Sequence, residues 1–177
     1  YQLTADLIAA RGTPRIKDNP PLIFHAPEQK EHEASEIIEE AWALYHESLP
    51  EHVRVLFDRF HLCDMAMKVV GVGSVGTACL VALFMAGDDD PLFLQAKEAQ
   101  ASVYERFLGP SARPTHGERV VAGQRRLQAA SDILLGSVVG DGGRHWYVRQ
   151  LQDQKASPVV EAMTVEDTRD WYATWYV

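Results

Sequence analysis

AMKVVGVGSVGTACLVALFMAGDDDPLFLQAKEA, residues 66–99, holds three apolar runs, one glycine pattern and one lysine. The glycines are Gly71, Gly73 and Gly76, in the order GxGxxG, and Lys97 ends the third run. Glycine at such positions lets a phosphate come close to backbone N–H groups, and a lysine beyond it adds a fixed positive charge. The stretch is therefore read as half of a nucleotide site, and the pairing of its apolar runs is the first question.

Two unrelated folds use this glycine pattern. In a dinucleotide-binding fold a helix leaves the glycines, and an acid for the ribose follows about 20 residues on. Asp88, Asp89 and Asp90 are candidates for that acid. In a kinase-like small lobe the loop joins two antiparallel strands, and a third strand carries the phosphate-contacting lysine. Three features favour the second arrangement. Residues 77–86 lack a polar helical face, Gly87–Pro91 is a tight turn, and Leu92–Lys97 (LFLQAK) reads as a strand ending in its lysine.

Outward from this centre the chain divides into recognisable pieces. Residues 1–30 hold prolines at 14, 20, 21 and 27, which predicts an extended arm after a short helix at Thr4–Ala10, with Leu22, Ile23 and Phe24 docked on the core. Ala34, Ile37, Ile38, Ala41, Leu44 and Tyr45 recur at helical spacing, which predicts a helix over Glu31–Glu47. Ser48-Leu-Pro-Glu51 reads as a capping box for a second helix, Glu51–Phe60, burying Val53, Leu56, Phe57 and Phe60. After the centre, Gln100–Leu108 is expected to be helical and Gly109–Gly117 a loop.

A helix over Glu118–Ser131 is expected to put Val120, Gln124, Leu127 and Ser131 on one face. Ile133–Val139 and His145–Leu151 are expected to pair as strands across the turn Gly140–Gly143. Thr164-Val-Glu-Asp167 opens a last helix carrying Trp171, Tyr172, Trp175 and Tyr176, an aromatic face that calls for a covering partner or further protein.

Composition narrows the function classes. The 177 residues are 46% hydrophobic, enough for a globular domain with a real core. Net charge is −8, which argues against a nucleic-acid binder and is accounted for by solubility. Only Cys63 and Cys79 are present, so no disulfide scaffold is expected and a cytoplasmic setting is the default. No apolar run reaches the roughly 18–20 residues of a membrane span, so no membrane partner is expected. The first residue is Tyr1 rather than Met, which suggests a processed, trimmed or partial chain.

Other polar signals are weak. The seven histidines form no zinc-like cluster, and His61-Leu-Cys63 lacks a second pair, so no metal site is assigned. Ser74 does not sit in a GxSxG elbow. Arg119, Arg125, Arg126, Arg149 and Lys155 are expected to pair with the many acids rather than form a basic patch.

Three blocks resemble one family: GVGSVGTACLVALFMAGDDDPLFLQAKEAQASV, GERVVAGQRRLQAASDILLG and WYVRQLQDQK. They look like successive segments of an uncharacterised bacterial family, domain of unknown function 2252. The resemblance spans roughly Pro20 to Lys155. That family is similar to the protein-kinase and aminoglycoside-phosphotransferase superfamily. The resemblance implies phosphate binding by Gly71, Gly73, Ser74 and Gly76, phosphate contact by Lys97, and a linker to a second lobe near Gln150–Lys155, with Gln150 among the nucleotide-binding residues. It implies ATP with Mg²⁺ as cofactors, the Mg²⁺ ligands lying outside this chain.

The lysine of a working kinase needs a carboxylate partner on the large helix. Glu118 is available but lies off the Val120/Gln124/Leu127 face, and Gln124 lies on that face without a charge. No segment resembles a catalytic loop with a base Asp or a DFG-like metal-binding block, so this chain alone is not expected to transfer phosphate. The expected fold is α+β: an antiparallel sheet of about five strands with one packed helix, preceded by a helical hairpin. The expected division is 1–62 for the arm and hairpin, 63–155 for a kinase-like small lobe, and 156–177 for the start of a second lobe. The leading function is a nucleotide-binding lobe. A pseudokinase or protein-interaction module and a dinucleotide-binding oxidoreductase domain are the alternatives.

Overall fold

A computed structural model describes residues 14–25, 28–71, 76–87, 90–151 and 163–169. Six antiparallel strands form one open sheet, in the order β1-β2-β3-β4-β6-β5. They are β1 (Ile23–Phe24), β2 (His61–Lys68), β3 (Cys79–Met85), β4 (Pro91–Glu98), β5 (Gly136–Val139) and β6 (His145–Gln150). The helices are α1 (Glu28–Ser48), α2 (Glu51–Phe57), a single turn α3 (Glu105–Leu108) and α4 (His116–Leu127).

The central pairings follow from sequence. β3 and β4 are joined by a turn in which Gly87 has φ +70° and Ala86 N–H donates to Asp90 O. Their register runs from Met85↔Pro91 to Cys79↔Lys97. The strand at Cys79–Met85 removes the dinucleotide-binding alternative, which needs a helix there. β-Branched and aromatic side chains are accommodated on both faces of this strand, where a helix would leave no polar side for water. Asp88 and Asp89 lie outside the described residues. β5 and β6 turn through Gly142 (φ +64°) and Gly143 (φ +70°), the glycine-rich turn expected there.

Alternation along the strands separates two cores. Leu92, Leu94 and Ala96 join Ala82, Phe84 and Val148 under α1 and α2, with Tyr45, Val53 and Phe57 from the helices and Leu49 from the link between them. Val81, Leu83, Met85 and Phe93 meet Ile16 and Ile23 of the N-terminal arm on the other face. Fully burying one such side chain contributes about 1.5–3 kcal/mol.

Several local expectations are corrected. Of the residues expected to face inward from α1, Tyr45 is buried, but Ile37 and Leu44 are exposed. Trp42 turns inward instead, edge-on to Phe84 at 5.0 Å and to Tyr45 at 5.5 Å. Leu56 is likewise exposed. Of the arm residues, Ile23 is buried while Leu22 and Phe24 are exposed.

Ser48 does not cap α2. It ends α1, and its hydroxyl donates to Tyr45 O at 2.6 Å, while Pro50 holds the N-cap position of α2 without a side-chain bond. The helix expected at Gln100–Leu108 is reduced to the one turn of α3. α4 starts two residues before the expected Glu118, because Thr115 Oγ1 accepts from Glu118 N–H at 3.0 Å. The box at Thr164 forms: Thr164 Oγ1 accepts from Asp167 N–H at 3.1 Å, and Asp167 Oδ2 accepts from Thr164 N–H at 2.9 Å. The helix expected at Thr4–Ala10 and the aromatic residues from Trp171 onward lie outside the described residues.

Candidate functional site

The end of the sheet nearest the glycine stretch carries a row of side chains on one face. Strand register aligns Cys79, Lys97, Tyr147 and Ser137 across four strands. The next row on that face is Val81, Gln95 and Arg149. Gln95 is 3% exposed, and its side chain donates to Cys79 Sγ at 3.3 Å and accepts from Arg149 Nη2 at 3.5 Å. Arg149 Nε is buried without a hydrogen-bond partner.

This end of the face is cationic. Burial pushes the Cys79 thiol up, and the charges of Lys97, Lys68 and Arg149 oppose that rise. Burial also pushes the Tyr147 hydroxyl up, again opposed by Arg149. Lys97, Lys68 and Arg149 thus all act on Cys79, and the Nε of Arg149 is the buried guanidinium nitrogen beside it without an acceptor.

The glycine stretch is tied to this end of β4. Glu98 N–H donates to Ala78 O at 2.9 Å, Ala78 N–H donates to Glu98 Oε2 at 3.0 Å, and Gln100 Nε2 donates to Gly76 O at 3.4 Å. Gly76 has φ +85°, a conformation that favours glycine. A Cβ at Gly71 or Gly76 would meet nothing within 4 Å, so neither is glycine for want of space. Gly73 and Ser74 lie outside the described residues.

α4 packs on the face that bears Lys97. A Cβ at Gly117 would lie 2.4 Å from Trp146 O and 2.9 Å from Ser137 Cβ, so only glycine lets the helix come this close. The inward stripe of α4 is Gly117 and Val121, with Gln124 one turn further on. Leu127, expected inside, is 89% exposed, because it lies in the last turn of the helix, beyond that close contact. Glu118 stands about 100° round the helix from Gly117. Helical spacing thus puts Gln124, rather than Glu118, in line with Gly117 and Val121.

Gln150 is in register with Leu94 and so alternates onto the face opposite Lys97; its N–H donates to Asp132 Oδ2. Gln95 and Tyr147 were not singled out from sequence, and Arg149 only as one of five bases expected to pair with acids; its partner here is the Gln95 side chain. The alternation of LFLQAK would have found Gln95, since it shares the face of Lys97. Among the described residues, no group of three or more His, Cys, Asp or Glu side chains could hold a metal ion. Among them, too, no helix is long and apolar enough to cross a membrane.

No curated protein and no solved structure matches the chain. The sequence does match one family over residues 2–175, nearly its whole length, and the chain belongs to that family, described as an uncharacterized protein conserved in bacteria (DUF2252).

Proposed function

We propose that this chain is a nucleotide-binding lobe of the protein-kinase-like type. The backbone of the glycine stretch 71–76 and Lys97 would receive the phosphates of an ATP-like nucleotide. The observation that carries this reading is the register Cys79↔Lys97, together with the antiparallel pairing of β2 and β3, the strands on either side of the glycine stretch in sequence. The strand order supports it: the lysine strand β4 is followed by a helix, and the last two strands complete the sheet as β6-β5. Fixed positive charge and oriented N–H groups would then hold the phosphates without rearranging. Phosphate transfer is no part of the proposal, because the sequence contains no segment resembling a catalytic loop or a DFG-like block.

Titration calorimetry with ATP, with and without Mg²⁺, tests the reading on the whole chain. Saturable binding is expected, weakened about tenfold in Lys97→Ala. Absence of ATP binding, or identical binding by Lys97→Ala, would overturn it.

A second reading, a protein-interaction module, is favoured by one observation. Val103, Tyr104, Phe107 and Leu108 on and before α3 are 72%, 67%, 71% and 82% exposed, a run of apolar side chains facing water. It would gain if ATP fails to bind while alanine at Phe107 and Leu108 raises solubility.

A further inference from the structure

On the face opposite Lys97, α1 does not close down on the sheet. Small side chains leave the gap: Ala96 on β4, Ala78 just before β3 and Ala41 on the helix. The result is a cavity of about 520 Å³. Its floor includes Leu80, Ala96 and Val148, and Trp42 and Trp146 also line it. Both the volume and the apolar lining suit a small organic ligand.

The polar groups around this cavity differ in how far they are satisfied. Asp64 accepts from Ile16 N–H at 2.6 Å, from Met65 N–H at 2.9 Å and from His25 Nε2 at 3.0 Å, so its carboxylate is committed. Glu39 and Asp141 are exposed to water. The donors are less well served. Trp42 Nε1 donates only to the thioether of Met65, at 3.4 Å, and sulfur is a weak acceptor. Trp146 Nε1 has no acceptor among the described residues; a Cβ at Gly140 would lie 3.0 Å from it, so glycine there keeps the indole edge open. The Arg144 guanidinium lies over the same indole, 5.6 Å from its centroid, with no carboxylate partner among the described residues.

Glu39, Asp141 and Arg144 all stand exposed at the mouth of the cavity, but the two indole N–H groups along its apolar wall are donors without a strong acceptor, and they call for a ligand with an apolar body and an acceptor head. We propose that it binds an apolar molecule bearing one carboxylate, a medium-chain fatty acid or an aryl alkanoate. The chain or ring lies over Leu80, Ala96 and Val148, and the carboxylate meets Arg144 and Trp146 Nε1. The site lies on the other face of the sheet from Lys97 and is independent of nucleotide binding.

The test titrates the ¹⁵N-labelled whole chain with sodium decanoate, and with decanol and decylamine for contrast. Decanoate is expected to shift the indole N–H signals of Trp42 and Trp146 saturably and to bind more tightly than decylamine. Arg144→Gln is expected to weaken decanoate about tenfold and leave decanol unchanged. Arg144 is exposed, so the variant should keep the wild-type spectrum elsewhere. Lys97→Ala is expected to bind decanoate like wild type. Unmoved indole signals, undiminished binding by Arg144→Gln, or tighter binding of decylamine would each overturn the proposal.

Discussion

His25 Nε2 lies 3.0 Å from Asp64 Oδ2 and ties the N-terminal arm to β2 across 39 positions of sequence. The other ring nitrogen, Nδ1, lies 2.8 Å from Asp18 Oδ1. The side chains of His25 and Asp64 are only 8% and 12% exposed, and Arg15 Nε is 3.9 Å from Asp64 Oδ2. The same Asp64 carboxylate accepts from Ile16 N–H, so the clasp fixes the segment that buries Ile16 and Ile23.

This clasp predicts a pH-dependent stability. Burial of His25 disfavours its charged form, but the hydrogen bonds and charges of Asp64 and Asp18 outweigh it, and the pKa rises above 6.5. A raised folded-state value means that the contribution is fully present below 6.5 and is lost as pH rises through the folded value. Asp18 moves the other way: its hydrogen bond to His25 holds its carboxyl below 3.8. That contribution is present above 3.8 and is lost as pH falls through the folded value. Urea midpoints are therefore expected to decline on the alkaline side of His25, and His25→Gln to flatten that decline. A His25 ring signal titrating below 6.5 would refute the assignment.

Gly117 and Gly123 lie on one helix and should respond oppositely to alanine. At Gly117 a Cβ would press on Trp146 O at 2.4 Å, a backbone atom that cannot swing away. Gly117→Ala is expected to lift α4 and destabilise by about 1–3 kcal/mol, despite alanine's better helix propensity. At Gly123 a Cβ would meet nothing within 4 Å. Gly123→Ala should stabilise by about 0.5–1 kcal/mol through reduced backbone freedom in the unfolded chain. Equal effects in urea unfolding would contradict the packing of α4 on the β5–β6 hairpin.

The sheet was legible where local patterns and turn chemistry agreed. Gly87 and Gly140–Gly143 marked the two tight turns, and the absence of a polar face over residues 77–86 marked β3. Tertiary choice hid the rest. Periodicity offers Leu44 and Tyr45 alike to the core, and only the ring packing of Trp42, Tyr45, Phe57 and Phe84 decides between them. Ile16 stands alone among prolines and charges, so no period announces its burial. The clasp and the Gln95–Arg149 pair join residues far apart in sequence, for which local spacing carries no signal. The glycine stretch and Lys97 were visible as residue types, but the cationic row beside them required the register.

Tyr45 joins α1 to the connection before β5. Its buried hydroxyl donates to Leu134 O at 2.5 Å, and its ring packs edge-on to Phe57 at 5.9 Å. Tyr45→Phe keeps the ring and leaves the Leu134 carbonyl without this donor. Destabilisation of about 1–2 kcal/mol is expected by urea unfolding. Burial, with the charge of Asp132, also raises the Tyr45 hydroxyl far above the ordinary tyrosine range. In an alkaline ultraviolet titration it should ionise only as the protein unfolds; early ionisation would place it nearer water than the structure does.

The two cysteines predict a separation in reactivity. Burial raises both thiols, with the charge of Asp64 adding to the effect at Cys63 and the charges of Lys97, Lys68 and Arg149 opposing it at Cys79. Reactivity also needs access, and here the two diverge: Cys79 is 2% exposed at the start of the inner strand β3, whereas Cys63 is only partly buried at the irregularity in β2. A disulfide reagent should modify Cys63 in the folded protein and reach Cys79 only when β3 and β4 open. The rate at Cys79 should rise in Gln95→Ala, which removes the bond to its sulfur. If Cys79 reacts as fast as Cys63 without denaturant, the buried row beside Lys97 does not exist in solution.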